Sequence, residues 1–183
     1  MKERRILVLD CTPLDQPREG KLLQKFLQIC ELHKPAKAKS LYYQVKSKSE
    51  FLSKLGTKKK YDIIHISAHG SPTGIGNGST WECSTDEIGE AHNARTKLVH
   101  VSACESFYRE MAEAFNARFF LAPKKKVDWI DTAMFSMMFY KRYIVDNISM
   151  RRSFKYATRR TQTSSVYPDY YEITCWKSVT NRQ

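Results

Sequence analysis

The sequence predicts an α/β fold, a three-layer α-β-α sandwich around a mostly parallel sheet of about six strands. Three observations predict it. Short apolar runs rich in β-branched residues alternate with amphipathic stretches of helical period along the chain. Repeated strand–helix units favour parallel pairing, with helices packed on both faces of the sheet. The 183 residues, 42% hydrophobic and 27% charged, suit one domain spanning residues 1–183 with a sizeable core.

The elements follow in order. Residues 5–10 (Arg-Ile-Leu-Val-Leu-Asp) read as a first strand. Residues 21–32 read as an amphipathic helix with Leu22, Leu23, Phe26, Leu27 and Cys30 on one side. Residues 40–45 are a second strand. Ser47 and Glu50 have capping-box spacing and open a short helix that ends at Gly56. Residues 62–69 are a third strand. Residues 70–80 hold four of the seven glycines. They lack the Gly-Lys-Ser/Thr of a phosphate loop, so a β-hairpin or a substrate-side loop is expected.

Ser84 and Glu87 form a second capping-box pattern. Residues 97–104 are the fourth strand. Ser106 is placed as the cap of a helix carrying Phe107, Met111 and Phe115. Residues 118–122 are the fifth strand. Asp128 opens a long apolar helix reaching about residue 146, with its methionines, Met134, Met137 and Met138, taken as core filling. Ser149 caps one more helix to about residue 161, and residues 170–176 form a last strand.

Composition narrows the function classes. No apolar run is long enough to cross a bilayer. The N-terminal apolar run is too short for a secretory leader, which leads to a cytoplasmic expectation. Five cysteines, Cys11, Cys30, Cys83, Cys104 and Cys175, are widely spaced with no C-x-x-C, as expected of reduced thiols rather than a disulfide framework. The net charge of +12 favours an acidic partner, either a protein surface or a nucleic-acid-containing complex. No stacking or groove-reading motif accompanies the lysines and arginines.

Two strands end in chemistry. Tyr61-Asp-Ile-Ile-His-Ile-Ser-Ala-His69 closes on histidine, and Lys97-Leu-Val-His-Val-Ser-Ala-Cys104 on cysteine. The C-terminal edge of a parallel sheet is where ligands bind. Side by side and in register, such strands lie about 4.8 Å apart. A thiol and an imidazole at matching ends then form an activated nucleophile. Taken alone, Cys104 reads as a packed core cysteine. Its pairing with His69-Gly70 reverses that reading. His65 and His100 each precede the pair by four residues, about 13 Å along a strand, so one metal ion cannot collect all four side chains. They are expected to be core histidines with hydrogen-bonded rings, and no metal or cofactor is expected. His33 and His92 are placed in solvent.

His69-Gly70 after one apolar strand and Ser102-Ala-Cys-Glu-Ser106 after the next resemble the caspase–hemoglobinase fold of cysteine peptidases. The likeness is greater to its bacterial CHAT-type, separase-related branch, which residues 120–123 (Phe-Leu-Ala-Pro) and Val127-Asp128 also resemble. It covers essentially the whole chain. The resemblance implies a cysteine endopeptidase in which Cys104 is the nucleophile and His69 assists its activation or protonates the leaving amine. Backbone N–H groups of Gly70 and Cys104 would form the oxyanion hole. Ser71, Glu105, Asp128 and Asp86 are candidate substrate-binding residues, since relatives that cut after Lys or Arg line the primary pocket with an acidic group. For Glu105 a plain exposed charge is the simpler reading.

The chain departs from true caspases in two ways. It lacks Gln-Ala-Cys-Arg/Gln-Gly around the cysteine. Its histidine-to-cysteine spacing is 35 residues, against roughly 50 there. The resemblance also implies a partner- or ligand-regulated effector in bacterial antiviral defence or cell death. Two alternatives stand beside it: an inactive caspase-like module that binds a partner, and a basic nucleic-acid-associated α/β domain.

Overall fold

The computed structural model describes residues 3–33, 38–57, 59–92, 95–169 and 171–172. Strands β1 (Arg4–Asp10), β2 (Ala38–Gln44) and β3 (Ile63–Ser67) are followed by three short ones, β4 (His69–Gly70), β5 (Gly74–Gly76) and β6 (Glu82–Ser84). Then come β7 (Thr96–Ser102), β8 (Ala117–Leu121) and β9 (Tyr171–Glu172). The main sheet has six strands in the order β2-β1-β3-β7-β8-β9. All its pairings are parallel except that of β9, which runs antiparallel to β8. Strands β4, β5 and β6 form a separate antiparallel sheet.

The helices are α1 (Glu19–His33), α2 (Lys48–Leu55), α3 (Thr85–Ala91), α4 (Arg109–Ala114), α5 (Trp129–Tyr140) and α6 (Met150–Thr161). Strand alternation sorts the apolar side chains into two cores. Ile6, Val8, Ile63 and Leu98 pack with Leu23 and Leu27 of α1, Phe135 and Phe139 of α5 and Phe154 of α6. Leu7, Leu9, Ile64 and Val99 pack with Phe51 of α2, Ile88 of α3 and Met111 of α4. The result is the three-layer sandwich with helices on both faces of a mostly parallel sheet.

Local signals explain several boundaries. Ser47 accepts the N–H of Glu50 and Gly56 ends α2, as the capping pattern requires. Ser84 and Glu87 form a complete capping box at the start of α3. Asp128 caps α5 by accepting the N–H of Ile130. Helix α5 then passes into a π-helical turn, Lys141–Val145, before Ser149 opens α6.

Other expectations are corrected. The third strand stops at Ser67, and His69 opens the small sheet instead. Ser106 does not cap α4. Its hydroxyl is buried and donates to Ala103 O at 2.7 Å, tying the turn after β7, so Tyr108 takes the cap position. Met134 and Met138 are exposed together with Ile130, because the aromatic line Phe135 and Phe139 occupies the buried face of α5. Leu22 is likewise exposed on α1. His92 is buried, with its ring between the Leu55 carbonyl at 3.3 Å and the Thr96 hydroxyl at 3.3 Å. Of the expected last strand, only Tyr171–Glu172 is seen, and Cys175 lies outside the described residues.

Candidate active site

Register decides the site. Ser67 of β3 pairs with Ser102 of β7, and the N–H of Ala68 still donates to Ser102 O at 3.2 Å. Both chains therefore reach His69 and Cys104 at the same height, at the C-terminal edge of adjacent parallel strands. There they part. His69 enters β4, while Cys104 sits in a turn continued by Glu105 at a left-handed φ of 55°.

The two side chains line one small cavity of about 280 Å³, together with Ser102, Val127, Trp129 and Lys126. The Cys104 thiol is half-buried. It faces the backbone of Val127, donating to the carbonyl at 3.7 Å and accepting the Val127 N–H at 3.4 Å.

The His69 ring is held from three sides. Its Nε2 is 2.6 Å from the Gln16 amide oxygen. Trp129 meets it edge to face at a centroid distance of 5.3 Å. Gly78, at φ +80°, lies so close that a Cβ there would sit 2.5 Å from the ring. A ring nitrogen paired with an amide oxygen carries the proton, which leaves Nδ1 with the lone pair. Burial also lowers the imidazole pKa below its ordinary value. His69 is therefore a neutral base at pH 7.

Gly70 lies directly against Cys104. A Cβ built on it would be 2.1 Å from the Cys104 carbonyl oxygen and 3.0 Å from the Ala103 side chain. Only glycine permits that approach. It sets the two backbone segments carrying the candidate oxyanion donors beside each other.

The candidate substrate-binding residues fare differently. Glu105 follows Cys104 directly, and its N–H donates to Lys125 O at 3.3 Å. Asp128 is exposed and spends a carboxylate oxygen on the N–H of Ile130 at 2.7 Å, between the cavity residues Val127 and Trp129. Ser71 ties the small sheet's turn, accepting the Gly74 N–H at 3.2 Å and donating to Glu82 at 3.2 Å. Asp86 lines another depression, with Glu90, Glu110 and Glu113, so it is not gathered with Cys104. Among the described residues no carboxylate lines the cavity, and Lys126 is its charged group.

Gln16 and Trp129 escaped sequence reasoning, while Val127 and Gly78 stood within stretches it had marked without a role for either residue. Gln16 and Trp129 come from a loop and a helix start far from the His-Gly and Ala-Cys motifs, with no local signal of their own. The clue for Gly78 is its place in the glycine-rich run.

Beneath the pair lies a buried polar layer. His65 is paired in register with His100, and the rings meet edge to face at 4.7 Å. His65 bridges Glu19 at 3.0 Å and the Tyr140 hydroxyl at 3.1 Å, as a core histidine should. His100 departs from expectation: both its nitrogens lack a hydrogen-bond partner, within a box of Phe135, Phe139, Tyr140 and Tyr167. Burial, and then the neighbouring His65, hold its pKa well below the ordinary value. Among the described residues no group of three or more His, Cys, Asp or Glu side chains converges as a metal site.

The sheet order and the flanking helices define a caspase-like α/β sandwich. No family model and no curated protein matches the chain. A solved structure does match in fold: the complex of Porphyromonas gingivalis RgpB pro- and mature domains, with a TM-score of 0.59 and 9% identity. The match covers 93% of this chain and 47% of that one, so the chain spans about half the length of its structural neighbour. At that identity the likeness is one of fold. Among the described residues no helix is long and apolar enough to cross a membrane.

Proposed function

We propose that this chain is a cysteine endopeptidase acting through Cys104 and His69. One observation carries the reading: the Ser67–Ser102 register delivers both side chains to the wall of one cavity. In the proposed reaction the Cys104 sulfur attacks the scissile carbonyl and forms a thioester. As the sulfur attacks, His69 takes the thiol proton and then delivers it to the leaving amine, and water hydrolyses the thioester to the free acid and the thiol. The N–H groups of Gly70 and Cys104 hold the oxyanion. Their backbones are held together by the Gly70 contact, which supports that role.

The cavity's character favours a small apolar or acidic residue at the cleaved position, because Lys126 would repel a basic one and no lining carboxylate would hold it. The two bonds of Cys104 to the Val127 backbone describe a resting arrangement, with the thiol engaged away from His69. That supports control by a partner protein or ligand that frees the pair. Membership of the CHAT-type, separase-related branch, and a role as an effector in bacterial defence or cell death, rest on the motif likeness at His69-Gly70 and Ala103-Cys104. The same resting bonds also suit an inactive binding module.

The deciding experiment incubates the chain with proteins encoded beside its gene and identifies new N-termini by mass spectrometry. Cleavage products that vanish with Cys104→Ala establish the peptidase. Retention of full cellular function by Cys104→Ala establishes the binding module.

A further inference from the structure

The opposite edge of the sheet carries a second constellation, separate from the Cys104 cavity. Register places Arg5 of β1 opposite Lys39 of β2. The N–H of Asp62 donates to Arg5 O at 2.9 Å, and the N–H of Leu98 to Asp62 O at 3.1 Å, so the same rung continues through Lys97 of β7. The pairs on either side of Arg118, Thr96↔Ala117 and Leu98↔Phe119, place it opposite Lys97. Four strands thus begin with a cation on one rung, interrupted by a single carboxylate.

Lys60 and Arg95 lie just before β3 and β7 and complete an open cleft of about 690 Å³ lined by five cationic side chains, Arg5, Lys60, Arg95, Lys97 and Arg118. The Asp62 carboxylate is already engaged by the Arg5 N–H at 2.9 Å. All five cationic residues are exposed.

We infer that this edge is a binding site for a chain of phosphates, the backbone of a single-stranded nucleic acid. Strands about 4.8 Å apart spread the cations over roughly 14 Å from β1 to β8, so one compact anion cannot meet them while successive phosphates can. Three of the five are arginines, whose planar forks bind phosphate oxygens in pairs. Tyr61 also lines the cleft, with the Arg5 guanidinium over its ring at 5.5 Å. The rung lies about 16 Å along β7 from its other end, so bound nucleic acid leaves the Cys104 cavity open. The inference stands independently of the peptidase reading.

The test is fluorescence anisotropy of a labelled 20-nucleotide oligo-dT with the full chain across a salt series. The triple variant Lys60→Ala/Arg95→Ala/Lys97→Ala should weaken binding at least about tenfold and flatten the log–log salt slope by about 2, near 0.7 per lost phosphate contact. Lys60→Arg/Arg95→Lys/Lys97→Arg should restore binding, which separates lost charge from misfolding. A charge-matched variant on α6, Arg152→Ala/Lys155→Ala/Arg159→Ala, should change it little. Cys104→Ala should bind as the parent does. If inorganic polyphosphate binds at this edge and the oligonucleotide does not, the site takes a chain of phosphates from another source, whereas ATP binding in place of both overturns the inference. The inference is overturned if poly-glutamate competes as well as the oligonucleotide, if the α6 variant loses as much affinity, or if no phosphate-bearing probe binds at low salt.

Discussion

Gly70 presses against the Cys104 carbonyl, leaving 2.1 Å for any Cβ that might be placed there. The contact joins the end of the His69 segment to the turn that carries the thiol. Gly70→Ala should therefore move one backbone or the other, destabilising the protein by about 1–3 kcal/mol and slowing reaction at Cys104. Gly89→Ala is the control, because its nearest neighbour would be 3.8 Å away. On a helix such as α3 that change should be neutral or stabilising, by about 0.5–1 kcal/mol. Denaturation curves and thiol labelling of both variants provide the check. Equal behaviour would remove any special role for the contact.

Thiol reactivity should rank by environment. Burial raises the pKa of Cys11 and Cys30, and burial with Glu87 nearby pushes Cys83 up to about 11. Cys104 is half-buried in an open cavity and accepts the Val127 N–H. In native protein, iodoacetamide should modify Cys104 before Cys11, Cys30 or Cys83. Peptide mapping after brief exposure reads the order. Simultaneous modification of all four would mean that no activated nucleophile exists in this state.

The Cys104 and His69 pair should matter for chemistry and little for folding. Cys104→Ala should stay folded, with a stability change of about 1–2 kcal/mol, while cleavage of the cognate target is abolished. His69→Ala should lower kcat/KM by about 10²–10⁴-fold, and the double variant should be no worse than the cysteine variant. Gln16→Leu leaves the ring in place but removes its oxygen partner, so a smaller loss of about 10- to 100-fold is expected. Because burial lowers the His69 pKa, the acid limb of the rate profile should fall below pH 6.5 rather than at it. A limb above that value would assign the titration to another group.

His100 should set part of the acid sensitivity of the fold. Its folded pKa lies well below 6.5, through burial and then His65, whereas the unfolded imidazole takes a proton near 6.5. Below that pH the unfolded state binds the extra proton. Stability should then fall as pH drops, by up to about 1.4 kcal/mol per pH unit for this group. His100→Leu removes the group and two unpartnered nitrogens, so its advantage over the parent should grow between pH 7 and pH 5. Urea titrations at the two pH values measure this. Parallel losses in both proteins would show that His100 contributes nothing.

Architecture and the candidate pair were legible in local stretches of the chain. Short unbroken apolar runs such as Ile6-Leu-Val-Leu9, and caps such as Ser47, Ser84 and Asp128, act through backbone geometry within a few residues. Tertiary structure decided whatever depends on distance between segments. It fixed the Ser67–Ser102 register, sent His69 into a second sheet, and brought Gln16, Gly78 and Trp129 around its ring. It turned Met134 and Met138 outward, because Phe135 and Phe139 fill the buried face of α5, and His92 inward, where its ring meets the Leu55 carbonyl. It separated Asp86 from the cavity and assembled Arg5, Lys97 and Arg118 on one rung, although they lie far apart in sequence. Local propensity carries no information about which strands become neighbours. Pairing and packing do, and they belong to the folded chain as a whole.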